Sequence, residues 1–151
     1  MSRTAIPGTD PKAADMILHA SCVALGGQGI LVLGRAGVGK SSLALELMAL
    51  GADLVADDRT CLQQRGGEII ASAPYALAGM IEARGVGLLK GKALPRVPVS
   101  LVVDLDQIET ERLPIHRTIT LLTCTIPLIH GVATNHFPAI IVQYIKGGGT
   151  V

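Results

Sequence analysis

The sequence predicts an α/β domain in which a mixed β-sheet carries flanking helices. Residues 30–33 are a run of β-forming apolar residues, followed by a glycine-rich loop and then by a helical pattern. Residues 26–29 are mostly glycine and predict a turn from an earlier apolar stretch, so the two strands are expected to pair antiparallel. A chain of 151 residues is long enough for one such core and argues against two domains.

The first part of the chain predicts a lead-in followed by a strand. Residues 1–14 contain two prolines and mixed polar residues, which is typical of a flexible segment. Residues 16–25 are mostly apolar with β-branched members and predict a strand that is interrupted by His19. We therefore expect a flexible lead-in at residues 1–14, a single domain at 15–146 and a glycine-rich tail at 147–151.

The later elements follow from helical spacing and turn residues. Leu43, Leu47 and Leu50 recur at helical spacing, and Gly51 is a natural helix stop. A glycine turn at residues 65–67 predicts a hairpin. Strands are expected at residues 53–56, 60–63, 68–71 and 97–105. Residues 118–128 are β-rich, and we expect a helical turn at 75–80, a charged short helix or loop at 107–112, and a last apolar element at 137–145.

Composition excludes several classes of partner. A net charge of +1 with 17% charged residues gives no overall field that would attract nucleic acid or a membrane surface. No segment approaches the roughly 18 consecutive apolar residues of a membrane span, and residues 1–12 have no signal-like apolar region. Cys22, Cys61 and Cys124 have no metal-ligand spacing and are expected to be reduced, small apolar side chains. We therefore expect a soluble, cytoplasmic protein.

The glycine-rich loop, residues 34–41, matches the pattern G-x-x-x-x-G-K-[ST] between a strand and a helix. It consists of Gly34, Arg35, Ala36, Gly37, Val38, Gly39, Lys40 and Ser41. Glycines let successive backbone N–H groups turn toward a phosphate, and the helix N-terminus adds its positive dipole end. Lys40 would reach the β- and γ-phosphates, and Ser41 would bind Mg²⁺. A glycine turn with a chance lysine is the alternative, which the flanking strand and helix disfavour.

Two aspartates, Asp57 and Asp58, end the strand that follows the predicted helix. A single helix can return the chain to the sheet beside the loop strand, with both carboxylates near the terminal phosphate. One carboxylate can organise the metal and the other can accept a proton from an attacking hydroxyl. The alternative is a solvated turn, in which such pairs are common.

Three short sequence segments resemble the HPr kinase/phosphorylase family and follow one another in the order found in that family. They are the glycine-rich loop with the helix after it, residues 54–58 (Leu-Val-Ala-Asp-Asp), similar to the family's "VADD" strand, and residues 81–88 (Ile-Glu-Ala-Arg-Gly-Val-Gly-Leu), similar to its "EIRGLGI" signature. The resemblance implies a core like that of phosphoenolpyruvate carboxykinase, in the short form with the catalytic domain alone. It also implies a bacterial kinase that uses ATP or pyrophosphate and Mg²⁺ to phosphorylate a serine of the phosphocarrier HPr, with possible reversal by phosphorolysis, in a homohexamer.

The resemblance also implies roles for single residues. Lys40 matches the phosphate-binding lysine and Ser41 the metal-binding serine. Asp58 matches the general base, with Asp57 beside it in the same site. Glu82 matches the second magnesium ligand, whereas without the resemblance it would be an ordinary surface acid.

Three further residues depend more heavily on the resemblance. Arg84 would supply charge to the transferring group, but a lone arginine is usually a surface residue. His19 matches a histidine before the loop strand, where a hydrogen-bonded core histidine is the alternative. Arg112 resembles an active-site arginine in a "DRLG" segment, although Pro114 replaces the glycine, and a charged helix end is the alternative.

Departures from the family pattern leave other functions open. Ser42 stands where the family usually has Glu, and residues 129–135 have no recognisable counterpart of the family's late "PVRPGRN" loop, which is tied to dephosphorylation. A small-molecule kinase and a nucleotide-sensing regulator with little catalysis are the rivals. Of the other histidines, His116, His130 and His136 share no metal-ligand spacing and are expected on the surface or in loops.

Overall fold

The computed structural model describes residues 8–151, which form a mixed α/β fold around a curled sheet. The strands are β1 (Met16–Leu18), β2 (Ala20–Leu25), β3 (Gln28–Leu33), β4 (Asp53–Ala56), β5 (Thr60–Arg65), β6 (Glu68–Ser72), β7 (Met80–Ala83), β8 (Gly87–Lys90), β9 (Arg96–Ile108), β10 (Arg117–Leu121) and β11 (Cys124–Gly131). The helices are α1 (Lys40–Ala49) and α2 (Phe137–Gly147), with 3-10 turns at Pro11–Ala13 and Tyr75–Leu77. The predicted fold class is confirmed.

Strand β9 organises the sheet because it pairs with three different strands along its length. Its first residues pair antiparallel with β6, its middle pairs parallel with β3, and its second half pairs parallel with β11 on the opposite edge. From β3 the sheet continues through β2 to β4, and from β6 it continues through β5 to β1. The parallel strands bring their carboxyl ends to one edge, and the glycine-rich loop begins there.

Alternate residues of the central strands enter two different apolar cores. In β3, Ile30 and Val32 pack with Leu47 of α1, whereas Leu31 packs with Leu62 of β5. Both faces of β3 are therefore buried, one under the helices and the other inside the curl. This explains why its sequence is a continuous apolar run without polar alternation.

The predicted hairpins are present, but three other predictions change. Pairs β2–β3 and β5–β6 are antiparallel and are closed by two-glycine turns. Residues 118–128 do not form one element, because the chain turns at Leu122 and Thr123 between β10 and β11. The predicted strand over residues 16–25 is divided at His19, because β1 pairs with β5 whereas β2 pairs with β3 and β4. The segment predicted as a short helix or loop at 107–112 instead begins as strand, since β9 continues to Ile108.

Residues 81–88, the third segment that resembles the family, lie in a hairpin that the sequence did not predict. Strands β7 and β8 pair antiparallel and form a separate two-stranded sheet. Glu82 therefore lies in a strand, and it is exposed there. The segment was missed because β8 is exposed along its whole length and lacks the alternation that marks a half-buried strand.

Residues near both ends of the described chain make hydrogen bonds with the rest of the domain. Residues 1–7 of the predicted flexible lead-in lie outside the described residues, but Thr9 donates its backbone N–H to Ala73 O at 2.8 Å. In the predicted tail, Gly147 is the last residue of α2, and the Thr150 hydroxyl is 2.7 Å from His116 Nε2. Residues 8–14 and 147–150 therefore contact the domain.

The cysteines behave largely as predicted. Cys22 and Cys61 are buried in the strands, and burial raises the pKa of Cys22 to about 12, so its thiol stays neutral. Cys124 is half-buried and its Sγ donates to Gly67 O at 3.3 Å.

Within residues 8–151, neither helix has the length and apolar content needed to cross a bilayer.

We predict that Gly29→Ala destabilises the fold through its contact with β9. A Cβ at position 29 would lie 2.8 Å from both Pro98 O and Val97 Cγ1, which is closer than packed atoms approach. The free energy of unfolding, measured by urea denaturation, should fall by about 1–3 kcal/mol.

The matched control is Gly147→Ala at the end of α2. There a Cβ meets only Gln143 Nε2, at 3.7 Å, and alanine is the better helix former. Its unfolding free energy should stay unchanged or rise by about 0.5–1 kcal/mol. Equal losses in the two variants would contradict the crowding between β3 and β9.

Candidate active site

The glycine-rich loop connects β3 to α1 at the edge where the parallel strands end. Gly39 precedes the helix with φ 112°, a conformation that a residue with a Cβ rarely adopts, and no side chain caps the helix start. A Cβ at Gly37 or Gly39 would meet no atom within 4 Å, so no neighbouring group crowds the loop backbone at these two positions. The backbone can therefore present its N–H groups to an anion.

Lys40 closes the loop from inside. Only 6% of this residue is exposed, and its Nζ donates to Gly34 O at 2.7 Å and to Arg35 O at 3.1 Å. The ammonium group is therefore bound to two carbonyls of the loop and is largely shielded from solvent. It can meet a bound phosphate with a small side-chain rearrangement.

The carboxylate of Asp57 is the meeting point of the site. Its Oδ1 accepts hydrogen bonds from the hydroxyls of Ser41, at 2.6 Å, and Ser21, at 2.8 Å. Its Oδ2 accepts from the backbone N–H of Glu82 at 3.0 Å. Asp57 is only 8% exposed, and these three bonds compensate the burial of its charge.

Asp58 differs from its neighbour in both exposure and backbone. It is exposed and has φ 62°, the left-handed region in which residues other than glycine are uncommon. Its N–H donates to Ser21 Oγ at 3.3 Å and its carbonyl accepts from Ala20 N at 3.0 Å. The turn after β4 thus separates a buried carboxylate from an exposed one.

The carboxylates of the site border one cleft of about 280 Å³. Asp57, Asp58 and Glu82 line it together with Leu77, Met80 and Leu88. The structure therefore places Asp57, Asp58 and Glu82 around one cleft, with Ser41 bonded to Asp57 and Lys40 next to Ser41 in sequence. Each of these roles remains a prediction.

Arg35, a variable position of the loop, is held by β9. Its backbone N–H and its guanidinium both donate to Asp106 Oδ1, at 3.0 Å and 2.8 Å. The backbone hydrogen bond from Arg35, followed by its side-chain bond and charge, holds the pKa of Asp106 below its usual value of 3.8. Asp106 thus connects Arg35, the second residue of the loop, to strand β9.

Three predicted residues lie outside this hydrogen-bond network. His19 is exposed in the bend between β1 and β2, Arg84 in the turn between β7 and β8, and Arg112 in the segment after β9. Among residues 8–151, no hydrogen bond or ion pair joins these three side chains to the loop or to Asp57. The alternatives of a core histidine and a helix-end arginine do not apply, because His19 is exposed and residues 109–116 are not helical.

The remaining histidines are placed partly as expected. His116 and His136 are exposed, but His130 belongs to β11 and its Nδ1 lies 4.0 Å from Glu109 Oε1, so it is not a loop residue. In the part of the chain that the structure describes, no cluster of three or more His, Cys, Asp or Glu side chains could hold a metal by itself.

Sequence reasoning missed two residues of the site, Ser21 and Asp106. Ser21 is a polar residue within an otherwise apolar strand, and Asp106 lies in the strand parallel to the loop strand. A small polar residue in a buried strand and an acid at a strand's carboxyl end are the signals that could have found them.

A family model described as the HPr Serine kinase C-terminal domain matches residues 11–130. The chain belongs to the HPr serine kinase family. It is 41% identical over 96 residues to the HPr kinase/phosphorylase of Clostridium tetani, covering 64% of this chain and 31% of that protein. It is 38% identical over 103 residues to the HPr kinase/phosphorylase of Geobacillus thermodenitrificans, covering 63% of this chain and 33% of that protein.

A solved structure extends the likeness to the fold. The HPr(Ser) kinase/phosphatase from Coxiella burnetii has a TM-score of 0.78 and 26% identity, with 89% of this chain and 96% of that chain covered. The chain matches about a third of the length of the two kinase/phosphorylase relatives. Family membership thus covers the glycine-rich loop, the aspartate pair and the β7–β8 hairpin of this HPr serine kinase domain.

We predict that Asp106 stabilises the domain at neutral pH and that this stabilisation disappears in acid. A carboxyl with a lowered pKa in the folded state contributes stability above its unfolded pKa, near 3.8, and loses it as pH falls through the lower folded value. Asp106→Asn keeps an acceptor for the Arg35 N–H but removes the charge. Urea denaturation should show wild type more stable than this variant at neutral pH, and the two should converge below pH 3.8. A stability difference independent of pH would contradict the ionic tether.

Proposed function

We propose that the domain transfers the γ-phosphoryl group of a magnesium nucleotide to a serine hydroxyl of an HPr-like phosphocarrier protein. One observation carries the proposal: the buried Asp57 carboxylate binds the Ser41 hydroxyl of the glycine-rich loop, and the exposed Asp58 borders the adjoining cleft. The names of the relatives support the choice of acceptor. A cytoplasmic location and the homohexamer implied by the family resemblance belong to the same proposal.

The loop and Lys40 would hold the phosphates. The start of α1 has no side-chain cap and provides N–H groups and a positive dipole end, and nothing crowds the loop backbone at Gly37 and Gly39. Lys40 contacts the Gly34 and Arg35 carbonyls, at the start of the same loop. ATP is the proposed donor, with pyrophosphate as a second donor that presents the same phosphate chemistry.

The residues around Asp57 fit a magnesium ion that is shared with phosphate oxygens. Because the Ser41 hydroxyl donates a hydrogen bond to Asp57, its oxygen lone pairs are left to face a cation. Glu82 is exposed at the cleft and offers a second oxygen ligand. Mg²⁺ usually takes one or two protein carboxylates together with phosphates and water. When bound, the ion would neutralise charge on the transferring group.

The two aspartates would divide the remaining work. Asp57 already accepts three hydrogen bonds, so its oxygens serve to hold Ser41 and the β7 backbone in place. The carboxylate of Asp58 is exposed and receives no hydrogen bond from the described residues, so it is free to accept a proton. The serine hydroxyl of the acceptor would give its proton to Asp58 as its oxygen attacks the γ-phosphorus. The bond from that phosphorus to the β–γ bridging oxygen would break and release the nucleoside diphosphate. Arg84, Arg112 and His19 are proposed to approach the reacting groups only in the complex.

Removing the base should abolish transfer while nucleotide binding survives. We choose Asp58→Asn because asparagine tolerates the left-handed backbone that Asp58 adopts, whereas alanine would add backbone strain. With labelled ATP, Mg²⁺ and HPr, the rate of serine phosphorylation should fall by at least about 100-fold, within the range of general-base contributions. The nucleotide Kd, measured by calorimetry, should change by less than about threefold because Asp58 makes no contact with the loop.

Mapping of the modified residue separates the possible functions. A labelled serine on HPr supports the proposal, whereas label transfer only to small metabolites would indicate a small-molecule kinase. ATP binding by the wild type without turnover on any acceptor would indicate a nucleotide-sensing regulator. Wild-type rates in Asp58→Asn would show that the base is elsewhere.

A second prediction concerns the metal. Ser41→Ala should raise the Mg²⁺ concentration needed for half-maximal nucleotide binding by about 10-fold or more, since a ligand oxygen is lost. Ser42→Ala is the matched control, because Ser42 is the next residue of α1 and is exposed. Titration of fluorescent nucleotide binding with Mg²⁺ measures both. Equal Mg²⁺ dependence of the two variants would contradict the role of Ser41.

A further inference from the structure

Ser21 is a fully buried hydroxyl in the middle of the site. It lies near the start of β2 between Ala20 and Cys22, and its exposed fraction is 0%. A hydroxyl in an apolar strand is unfavourable unless both its donor and its acceptor capacity are used. In this domain both are used, and both bonds go to the aspartate pair.

The two hydrogen bonds of Ser21 go to different parts of the aspartate pair, namely the side chain of Asp57 and the backbone of Asp58. Its Oγ donates to Asp57 Oδ1 at 2.8 Å, on the oxygen that also accepts from Ser41. The same Oγ accepts the backbone N–H of Asp58 at 3.3 Å. One atom therefore touches both the carboxylate that orients Ser41 and the backbone that carries the proposed base.

The backbone of Asp58 needs such a support. Its φ of 62° is unfavourable for a residue with a Cβ, and such conformations persist where surrounding contacts fix them. The Ala20 N–H, from the residue before Ser21, donates to Asp58 O at 3.0 Å. Two consecutive residues of β2 thus bind the backbone of Asp58: Ser21 accepts from its N–H and Ala20 donates to its carbonyl. These two bonds fix the direction in which the Asp58 side chain leaves the sheet.

We infer that Ser21 is a positioning residue that sets the geometry between the Ser41-bound carboxylate of Asp57 and the base Asp58. This inference rests on the proposed function, because it assigns Ser21 to the same phosphoryl transfer. Ser21 does not border the cleft and touches no reacting atom. Its effect passes through Asp57 and Asp58.

The kinetic test compares three variants of the full chain acting on HPr. Ser21→Ala should lower kcat by at least about 10-fold while the KM for MgATP stays within about twofold, because a misplaced base slows the reaction without weakening nucleotide binding. Ser21→Thr keeps the hydroxyl and should restore kcat to within about threefold of wild type. Ser72→Ala is the matched control, since it removes another buried serine hydroxyl, one that pairs with Thr9 instead of a carboxylate, and its kcat should equal that of wild type.

A further variant covers the possibility that Ser21→Ala does not fold. Ser21→Cys fills nearly the same space, but a thiol is a weak donor and a weak acceptor, so the same loss of kcat is expected. A kcat in folded Ser21→Ala or Ser21→Cys that matches Ser72→Ala would overturn the inference.

Amide hydrogen exchange provides a readout that does not require turnover. The Asp58 N–H should exchange faster in Ser21→Ala or Ser21→Cys than in wild type, and at the wild-type rate in Ser72→Ala, as measured by NMR. If the wild type phosphorylates no acceptor, the proposed function fails, and faster exchange would still support the grip of Ser21 on the pair. Unchanged Asp58 exchange in the Ser21 variants would refute that grip whether or not the domain is a kinase.

Discussion

The buried carboxylate of Asp57 is the constraint on which the site depends. A negative charge with 8% exposure is tolerable only when donors surround it, and the donors come from three separate elements. Ser21 belongs to β2, Ser41 to α1 and the Glu82 N–H to β7. Satisfying one charge therefore fixes the loop helix, the sheet and the cleft-forming hairpin relative to one another.

The local parts of this arrangement could be predicted from sequence because their signals are local. A continuous apolar run, the glycine spacing and a leucine repeat are contained within residues 30–51, and the hairpin β2–β3 is marked by its own glycines. Asp57 and Asp58 follow the next strand, and the single crossover through α1 returns the chain to the same sheet, although β4 lies beside β2 and not, as predicted, beside the loop strand β3. The prediction succeeded where sequence separation and spatial separation were both short.

The parts that were missed depend on contacts between distant residues. Ser21 and Asp57 are 36 positions apart, and Arg35 and Asp106 are 71 apart, so no window of sequence contains either pair. The extension of β9 to Ile108 depends on the parallel neighbour β11, whose Gly131 pairs with Ile108. Strand propensity around Asp104 and Asp106 is poor, and tertiary pairing overrides it. The division of β1 from β2 has the same cause, because the strand before His19 pairs with β5 and the strand after it pairs with β3.

The curled sheet explains why two adjacent acids can have opposite environments. Strand β4 is an edge of the sheet, and after Ala56 the chain turns back toward β5. An extended continuation would place successive side chains on opposite faces, with one acid in the core of the curl. The left-handed backbone at Asp58 avoids that outcome, because it ends the strand while Asp57 still faces its three donors and Asp58 already borders the cleft. A buried charge that orders the loop and an exposed charge that is free to take a proton are therefore consequences of one change in backbone direction.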